Sequence, residues 1–312
     1  MAGGTWDDLG PLAAVAVPGV TDILVNGPGQ VWVDGPDGLR RAAVSGLESE
    51  SRVRALAQRL AAMGGRRLDE AAPFVDARLP GGIRVHAVLP ALARSGTHIS
   101  LRIPAAVPLS LDDLTRSGSV TDEIDAALRE LVTAREGFVV SGVTGSGKTT
   151  VLGAVLGLVP SRERLVVVED TAELGIDHAH VVYLESRPAN VEGAGAIGMD
   201  VLVRQALRMR PDRIVVGECR GREVRDLLAA LGTGHCGATT VHAAGPAEVL
   251  PRISGLAETA GLDPHAAAAA LRSGVGALVH VDRGPAGRHV TGVWRLADAG
   301  EPVPMAVRGA RT

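Results

Sequence analysis

Residues 138–150 read FVVSGVTGSGKTT, an apolar run that breaks into a glycine-rich stretch ending in Lys148 and Thr149. The central part, GVTGSGKT (142–149), matches the pattern G-x4-G-K-[ST]. Its flanks give the pattern meaning. FVVS (138–141) is an apolar strand running into it, and 148–159 carries helical spacing out of it. A strand, a glycine turn and a helix in that order aim backbone N–H groups and the positive end of a helix dipole at one point, which suits phosphate oxygens. Gly142, Thr144, Gly145, Ser146, Gly147, Lys148, Thr149 and Thr150 are therefore the expected nucleotide-binding set. In such a loop the lysine ammonium neutralises the β- and γ-phosphates and the Thr149 hydroxyl ligates Mg²⁺. The expected ligands are ATP and Mg²⁺.

Composition sharpens that expectation. The 32 basic residues are 31 arginines and a single lysine, Lys148. A compact ammonium on a flexible stem fits between two phosphates, which a planar guanidinium does not do in the same way. Elsewhere the chain is unremarkable in charge, with a formal net charge of −3 over 312 residues. That balance lacks the basic footprint of a nucleic-acid-binding protein. No apolar run reaches the ~18 residues of a membrane span. The leading MAGGTWDDLG lacks the basic start and apolar stretch of a signal peptide. Two isolated cysteines, Cys219 and Cys236, form no metal or disulfide pattern, which fits a reducing compartment. The expected location is cytoplasmic.

Outward from the loop, residues 111–312 alternate helices with short apolar strands. Helix 121–135 follows Thr121 as N-cap and precedes Gly137. Then come strand LVVV (165–168), strand VVYL (181–184), helix 200–209, strand RIVVG (213–217), helix 221–231 and strand ATTVH (238–242). Asp263-Pro264 opens an alanine-rich helix. The pattern predicts an α/β domain with a parallel sheet covered on both faces. Residues 1–104 read instead as a smaller α+β domain. DILVNG (22–27) and QVWVDG (30–35) flank a hairpin turn, 49–63 is an amphipathic helix, and FVDARLP and IRVHAVLP flank Gly81-Gly82. HISLRIP (98–104) alternates Ile99, Leu101 and Ile103 with Ser100 and Arg102. Pro104 and Pro108 mark a linker over 105–110.

Acidic groups at strand ends supply candidates for the remaining chemistry. LVVV runs into Glu169-Asp170, with Glu173 shortly after, and RIVVG runs into Glu218. In open α/β sheets ligands gather at the carboxyl ends of strands, so both acidic ends can face one site. Glu218 is expected to hold Mg²⁺ through water, on a strand placed beside the phosphate-loop strand. Glu173 is expected to polarise the attacking water and Glu169 or Asp170 to support Mg²⁺, with exchange of these roles left open. GHCGATTVHA (234–243) holds His235, Cys236 and His242. Zinc would require a fourth ligand and a closed cluster. A His242 that senses the γ-phosphate from a strand end is the better functional reading.

Four segments in order, GVTGSGKTT, VVVEDTAEL, QALRMRPDRIVVGECRG and GHCGATTVHA, resemble the Walker A, Asp box, Walker B and His box of the type II/type IV secretion ATPase superfamily. TDILVNGPGQVWVDG and FVDARLPGGIRVHAVLPAL with GTHISLRIP resemble its tight-adherence (Flp) pilus branch, the TadA/CpaF-like ATPases. The resemblance spans roughly residues 10–260. It implies a RecA-like ATPase domain, a PAS-like N-terminal domain and a homo-hexameric ring that works on an inner-membrane platform protein. It also implies that Arg84 and Arg102 act in trans on a neighbouring subunit's ATP. Rival readings fare worse. No Ser-Gly-Gly of an ABC signature occurs, and the guanine-reading Asn-Lys-x-Asp is impossible with Lys148 as the only lysine. A RecA-type DNA motor would want clustered aromatics and basic loops. A nucleotide-gated assembly component with little turnover remains the alternative from another class.

Overall fold

The computed structural model describes residues 7–35, 38–103, 108–187, 194–284, 287–297 and 300–309. The chain divides into two compact units, Met1–Ala106 and Val107–Thr312. Residues 104–107, which include part of the expected linker, lie outside the described residues.

In the N-terminal unit a 3-10 segment (Asp7–Val15) precedes β1 (Asp22–Asn26), β2 (Val31–Asp34), β3 (Arg40–Ala42), α1 (Glu50–Met63), β4 (Phe74–Arg78), β5 (Arg84–Val88) and β6 (His98–Arg102). The strands form one six-stranded sheet in the order β3-β2-β1-β6-β5-β4, antiparallel at every pairing. Period-two alternation sends Ile23, Val25, Val85, Ala87, Ile99 and Leu101 to one face. There they meet Val53, Leu56, Ala57 and Leu60, the buried stripe of α1 at helical spacing. Both hairpins read from the sequence form, β1 with β2 and β4 with β5.

The second unit opens with α2 (Leu111–Arg116) and α3 (Asp122–Thr133), followed by β7 (Phe138–Gly142), α4 (Lys148–Leu156), β8 (Leu165–Glu169) and β9 (Val181–Glu185). Next come α5 (Met199–Ala206), β10 (Arg213–Val216), α6 (Glu223–Gly232), β11 (Cys236–His242), α7 (Val249–Thr259) and α8 (Pro264–Gly274). Three more strands close the chain, β12 (Ala277–Gly284), β13 (Gly287–Leu296) and β14 (Pro302–Val307). Caps explain several starts. Ser110 and Asp113 form a reciprocal capping box on α2, Thr121 Oγ1 accepts from Ile124 N–H, and Asp263 accepts from Ala266 N–H.

The eight-stranded sheet runs β14-β13-β12-β7-β11-β10-β8-β9. From β12 to β9 the pairings are parallel, and β13 and β14 add antiparallel strands at one edge. Alternate side chains feed two cores. Phe138, Val140, Leu165 and Val167 meet α2, α3 and α4 on one face. Val139, Val166, Val168 and Ile214 meet α5 to α8 on the other. This is why the parallel strands read as unbroken apolar runs. One expectation needs correction. The strand bearing Glu218 is not beside the phosphate-loop strand, because β11 lies between them. A single helix, α6, joins β10 to β11, and strands joined so closely settle side by side. The strands β12 to β14 were not legible from patterning; β12 fills the other flank of β7, parallel to it.

At the amino-terminal edge of this sheet lies a buried ion pair. Arg213, 2% exposed, sends Nε to Glu163 Oε2 at 2.8 Å and NH2 to the carbonyl of Val132 at 2.8 Å. Arg135 pairs with the other oxygen of Glu163. The cluster ties α3, the α4–β8 loop and β10 together. Removing one partner strands a desolvated charge. Glu163→Ala should cost about 3–5 kcal/mol, measured as the loss of unfolding free energy in urea; a loss below about 1 kcal/mol would show that the pair contributes little.

Candidate functional site

The site is built where β7 ends. Gly147 takes φ +100° and Gly145 φ +74°, left-handed conformations open chiefly to glycine. That turn brings Lys148 onto the first turn of α4 with its side chain folded back under the loop. Lys148 is 7% exposed, and its Nζ donates to the carbonyls of Gly142 (3.1 Å) and Val143 (3.0 Å). The buried Ser146 hydroxyl, inside the same loop, makes no hydrogen bond among the described residues. An orphaned buried hydroxyl beside the N-terminus of α4 suits a phosphate group. Val143, Thr144, Gly145 and Thr150 are exposed on the rim, and Thr149 is half-buried.

From Lys148 a chain of polar contacts crosses the sheet. Nζ donates its third hydrogen bond to His242 Nδ1 at 3.2 Å. An Nδ1 that accepts from an ammonium carries no proton, so the ring proton sits on Nε2. That nitrogen lies 2.8 Å from Glu218 Oε1. The contact is short but not aligned as a hydrogen bond, and acts as an electrostatic one. Arg220 then takes the carboxylate with both arms, NH2 to Oε2 at 2.7 Å and Nε 2.7 Å from Oε1. β11 thus lies between β7 and the loop after β10, and His242 stands in contact with both Lys148 and Glu218. Arg220 was not singled out from the sequence. Its signal is present in GECRG, where i and i+2 fall on one side of a loop.

Burial lowers the affinity of His242 for a second proton, the Lys148 charge lowers it further, and Glu218 opposes both. Burial also lowers the pKa of Lys148, against the attraction of Glu218 and Glu173. The ammonium is thus partly desolvated.

The remaining sequence candidates divide. Glu173 is exposed on the loop after β8, and its charge acts on both Lys148 and Arg220. Glu169 is buried, and its Oε1 accepts from Glu173 N–H (3.0 Å) and Leu174 N–H (2.9 Å). Those bonds make Glu169 the residue that shapes the Glu173 loop. Asp170 is exposed and accepts from the Ser186 hydroxyl. Arg84 and Arg102 belong to the N-terminal unit, away from the phosphate-loop unit in sequence. They are directly opposed across β5 and β6, in a row that continues to Arg78 on one side and Asp22 on the other. His242 ends β11 and His235 directly precedes the strand, about 23 Å apart at ~3.3 Å per residue, so they share no metal site. Beneath the loop, Ser141 pairs with His280 Nδ1 at 2.9 Å, a contact from β12 that patterning did not reveal.

Among the described residues no group of three or more His, Cys, Asp or Glu side chains gathers to hold a metal ion. The Thr149 hydroxyl and the Glu218 carboxylate fit the other common mode, in which magnesium rides on substrate phosphates and keeps most of its water.

A parallel sheet with a phosphate loop at its carboxyl edge defines a P-loop protein of the RecA-like class. Residues 5–279 match the family described as Type II/IV secretion system protein, and the chain belongs to that family. It is 51% identical over 281 residues to a Mycobacterium tuberculosis protein named for conjugal transfer, covering 88% of this chain and 80% of that one. It is 36% identical over 259 residues to the type IV secretion system protein PtlH of Bordetella pertussis, covering 75% and 76%. Among solved structures, the Legionella pneumophila ATPase DotB superposes with a TM-score of 0.64 at 20% identity, covering 90% of this chain and 78% of that one. The pilus retraction motor PilT with bound ADP gives 0.65 at 19%, covering 94% and 80%. These two likenesses establish the fold. No helix among the described residues is long and apolar enough to cross a membrane.

The relay makes a measurable statement about His242. Its imidazole should titrate below the ordinary 6.5, read by NMR with His242→Asn for assignment. Lys148→Ala should raise the midpoint and Glu218→Gln should lower it further. A wild-type midpoint at or above 6.5 would contradict the arrangement.

Proposed function

We propose that this chain is an ATP-hydrolysing motor that works as a homo-hexameric ring at the cytoplasmic face of the inner membrane, on a platform protein of a secretion or tight-adherence (Flp) pilus machine. The observation that carries the proposal is the continuous chain Lys148–His242–Glu218–Arg220 above the phosphate loop. A loop that only gripped phosphate would need no such link to a carboxylate two strands away. Family membership and relatives named for conjugal transfer and type IV secretion support the setting.

The residues then take roles that follow from their places. The backbone N–H groups of Gly145, Gly147, Lys148 and Thr149 and the Ser146 hydroxyl bind the phosphates, and Lys148 neutralises the β- and γ-phosphates. Mg²⁺, held by the Thr149 hydroxyl and by Glu218 through water, supplies charge neutralisation of the phosphate oxygens. Arg220 fixes the Glu218 carboxylate in one orientation. Glu173, on the loop that Glu169 shapes, orients and polarises the attacking water. A γ-phosphate competes with His242 Nδ1 for the Lys148 proton donor, so His242 registers whether the third phosphate is present. That event passes to Glu218 through Nε2.

Lys148 and a metal leave part of the spreading transition-state charge uncompensated. Arginines supplied from a neighbouring subunit are worth about 10³–10⁵ in rate in such sites. Arg84 and Arg102, opposed on two strands of the N-terminal unit, fill that role in the proposed ring. Subunit mixing tests ring and fingers together. Arg102→Ala and Lys148→Ala variants, each inactive alone, should recover ATP turnover when co-assembled, because some interfaces then pair an intact finger with an intact loop. A mixture that stays inactive although native mass spectrometry shows mixed rings would refute the trans role.

A further inference from the structure

The phosphate loop has two flanks, and the chemistry above uses one of them. On that flank β11 brings His242 against Lys148, with Glu218 beyond it. On the other, β12 pairs in parallel with β7, from Ala277 opposite Phe138 to His280 opposite Ser141. The chain then turns back into β13, and Arg288, second residue of β13, reaches over to the loop. Its Nε donates to the carbonyl of Gly145 at 2.8 Å. Its Cδ lies against Gly147, where a β-carbon would stand only 3.4 Å from it. This bond uses one of the five N–H donors of a guanidinium. NH1 and NH2 have no hydrogen-bond or ion-pair partner among the described residues.

The residue directly opposite Arg288 on β12 is Arg283, also exposed. Two like charges facing each other across adjacent strands are unfavourable. The side chain of Arg283 also lacks an acidic partner among the described residues. The carboxylate nearby in sequence, Asp282, pairs in register with His289 in the adjacent row, and successive residues of a strand point to opposite faces. Among the described residues, β12 and β13 therefore hold two guanidinium groups without an acidic partner, one bonded to the phosphate loop and the other opposite it in register.

We propose that Arg288, seconded by Arg283, binds the α-phosphate end of the nucleotide's phosphate chain within the same subunit. The proposal rests on the nucleotide-site reading given above. Direction follows from the flanks: Lys148, which serves the β- and γ-phosphates, and His242 hold the γ end on the β11 side. The chain leaves the loop toward β12 and β13, where the planar fork of Arg288 meets it. Arg288 is thus a substrate-binding residue common to ATP and ADP. It differs in this from His242, which answers to the third phosphate.

The experiment measures dissociation constants of the full chain for MgADP, for MgATPγS and for the two diastereomers of ADPαS, whose sulfur replaces one or the other α-oxygen. Arg288→Ala should weaken ADP and ATPγS by the same factor, about 10-fold or more. It should also abolish whatever preference the wild type shows between the ADPαS diastereomers. Arg288→Lys, which keeps the charge but not the fork, should recover part of the affinity and none of the preference. Unchanged affinity would overturn the proposal, as would a loss confined to ATPγS. Equal weakening with the diastereomer preference intact would also overturn it, leaving Arg288 as a brace for Gly145. A wild-type chain that binds neither ADP nor ATPγS would instead defeat the nucleotide-site reading itself.

Discussion

A strand that enters a helix through two left-handed glycines cannot leave the loop between them open without cost. In this chain the loop closes on its own lysine. Lys148 Nζ donates to the carbonyls of Gly142 and Val143, and the same ammonium reaches His242 on the next strand. β11 must pair with β7 for His242 to be there, and β10 is pushed one place out. Glu218 then lies against the imidazole of His242. Burial beneath the loop lowers the pKa of Lys148, and Glu218 and Glu173 oppose that effect.

The two flanks of β7 divide the labour. The β11 flank is polar and linked, running from lysine to histidine to carboxylate to arginine, and it is suited to distinguishing a third phosphate. The β12 flank supports the loop from below through the Ser141–His280 pair and overhangs it through Arg288. A parallel sheet permits this because its carboxyl edge collects the loops of several strands at one place. The buried Arg213–Glu163 pair sits at the other edge of the same sheet, away from the phosphate loop.

Much of this was legible in the sequence because the signals are local. The phosphate loop is a contiguous pattern with strand and helix on the correct sides, both N-terminal hairpins are set by turn residues, and the α1 stripe follows helical spacing. Strand order is not local. Nothing in RIVVG or ATTVH says which of them lies beside FVVS, so β10 was expected in the place that β11 occupies. The strands β12 to β14 were missed because Ala277–Gly284 mixes apolar and charged residues without clear period-two alternation. Arg288 was invisible for a related reason: 143 residues separate it from Gly145, and only the β7–β12 pairing brings them together. The carboxylates illustrate an intermediate case. Patterning found Glu169, Asp170, Glu173 and Glu218, but it could not tell that Glu169 is spent on backbone N–H groups while Glu218 faces the relay.

The central claim is that this loop binds and turns over ATP by means of Lys148. Phosphate release from MgATP, measured at steady state on the full chain beside Lys148→Ala, tests it most directly. The account predicts turnover by the wild type and its loss in the variant, together with severely weakened ATP binding. Near-normal turnover in Lys148→Ala would contradict it.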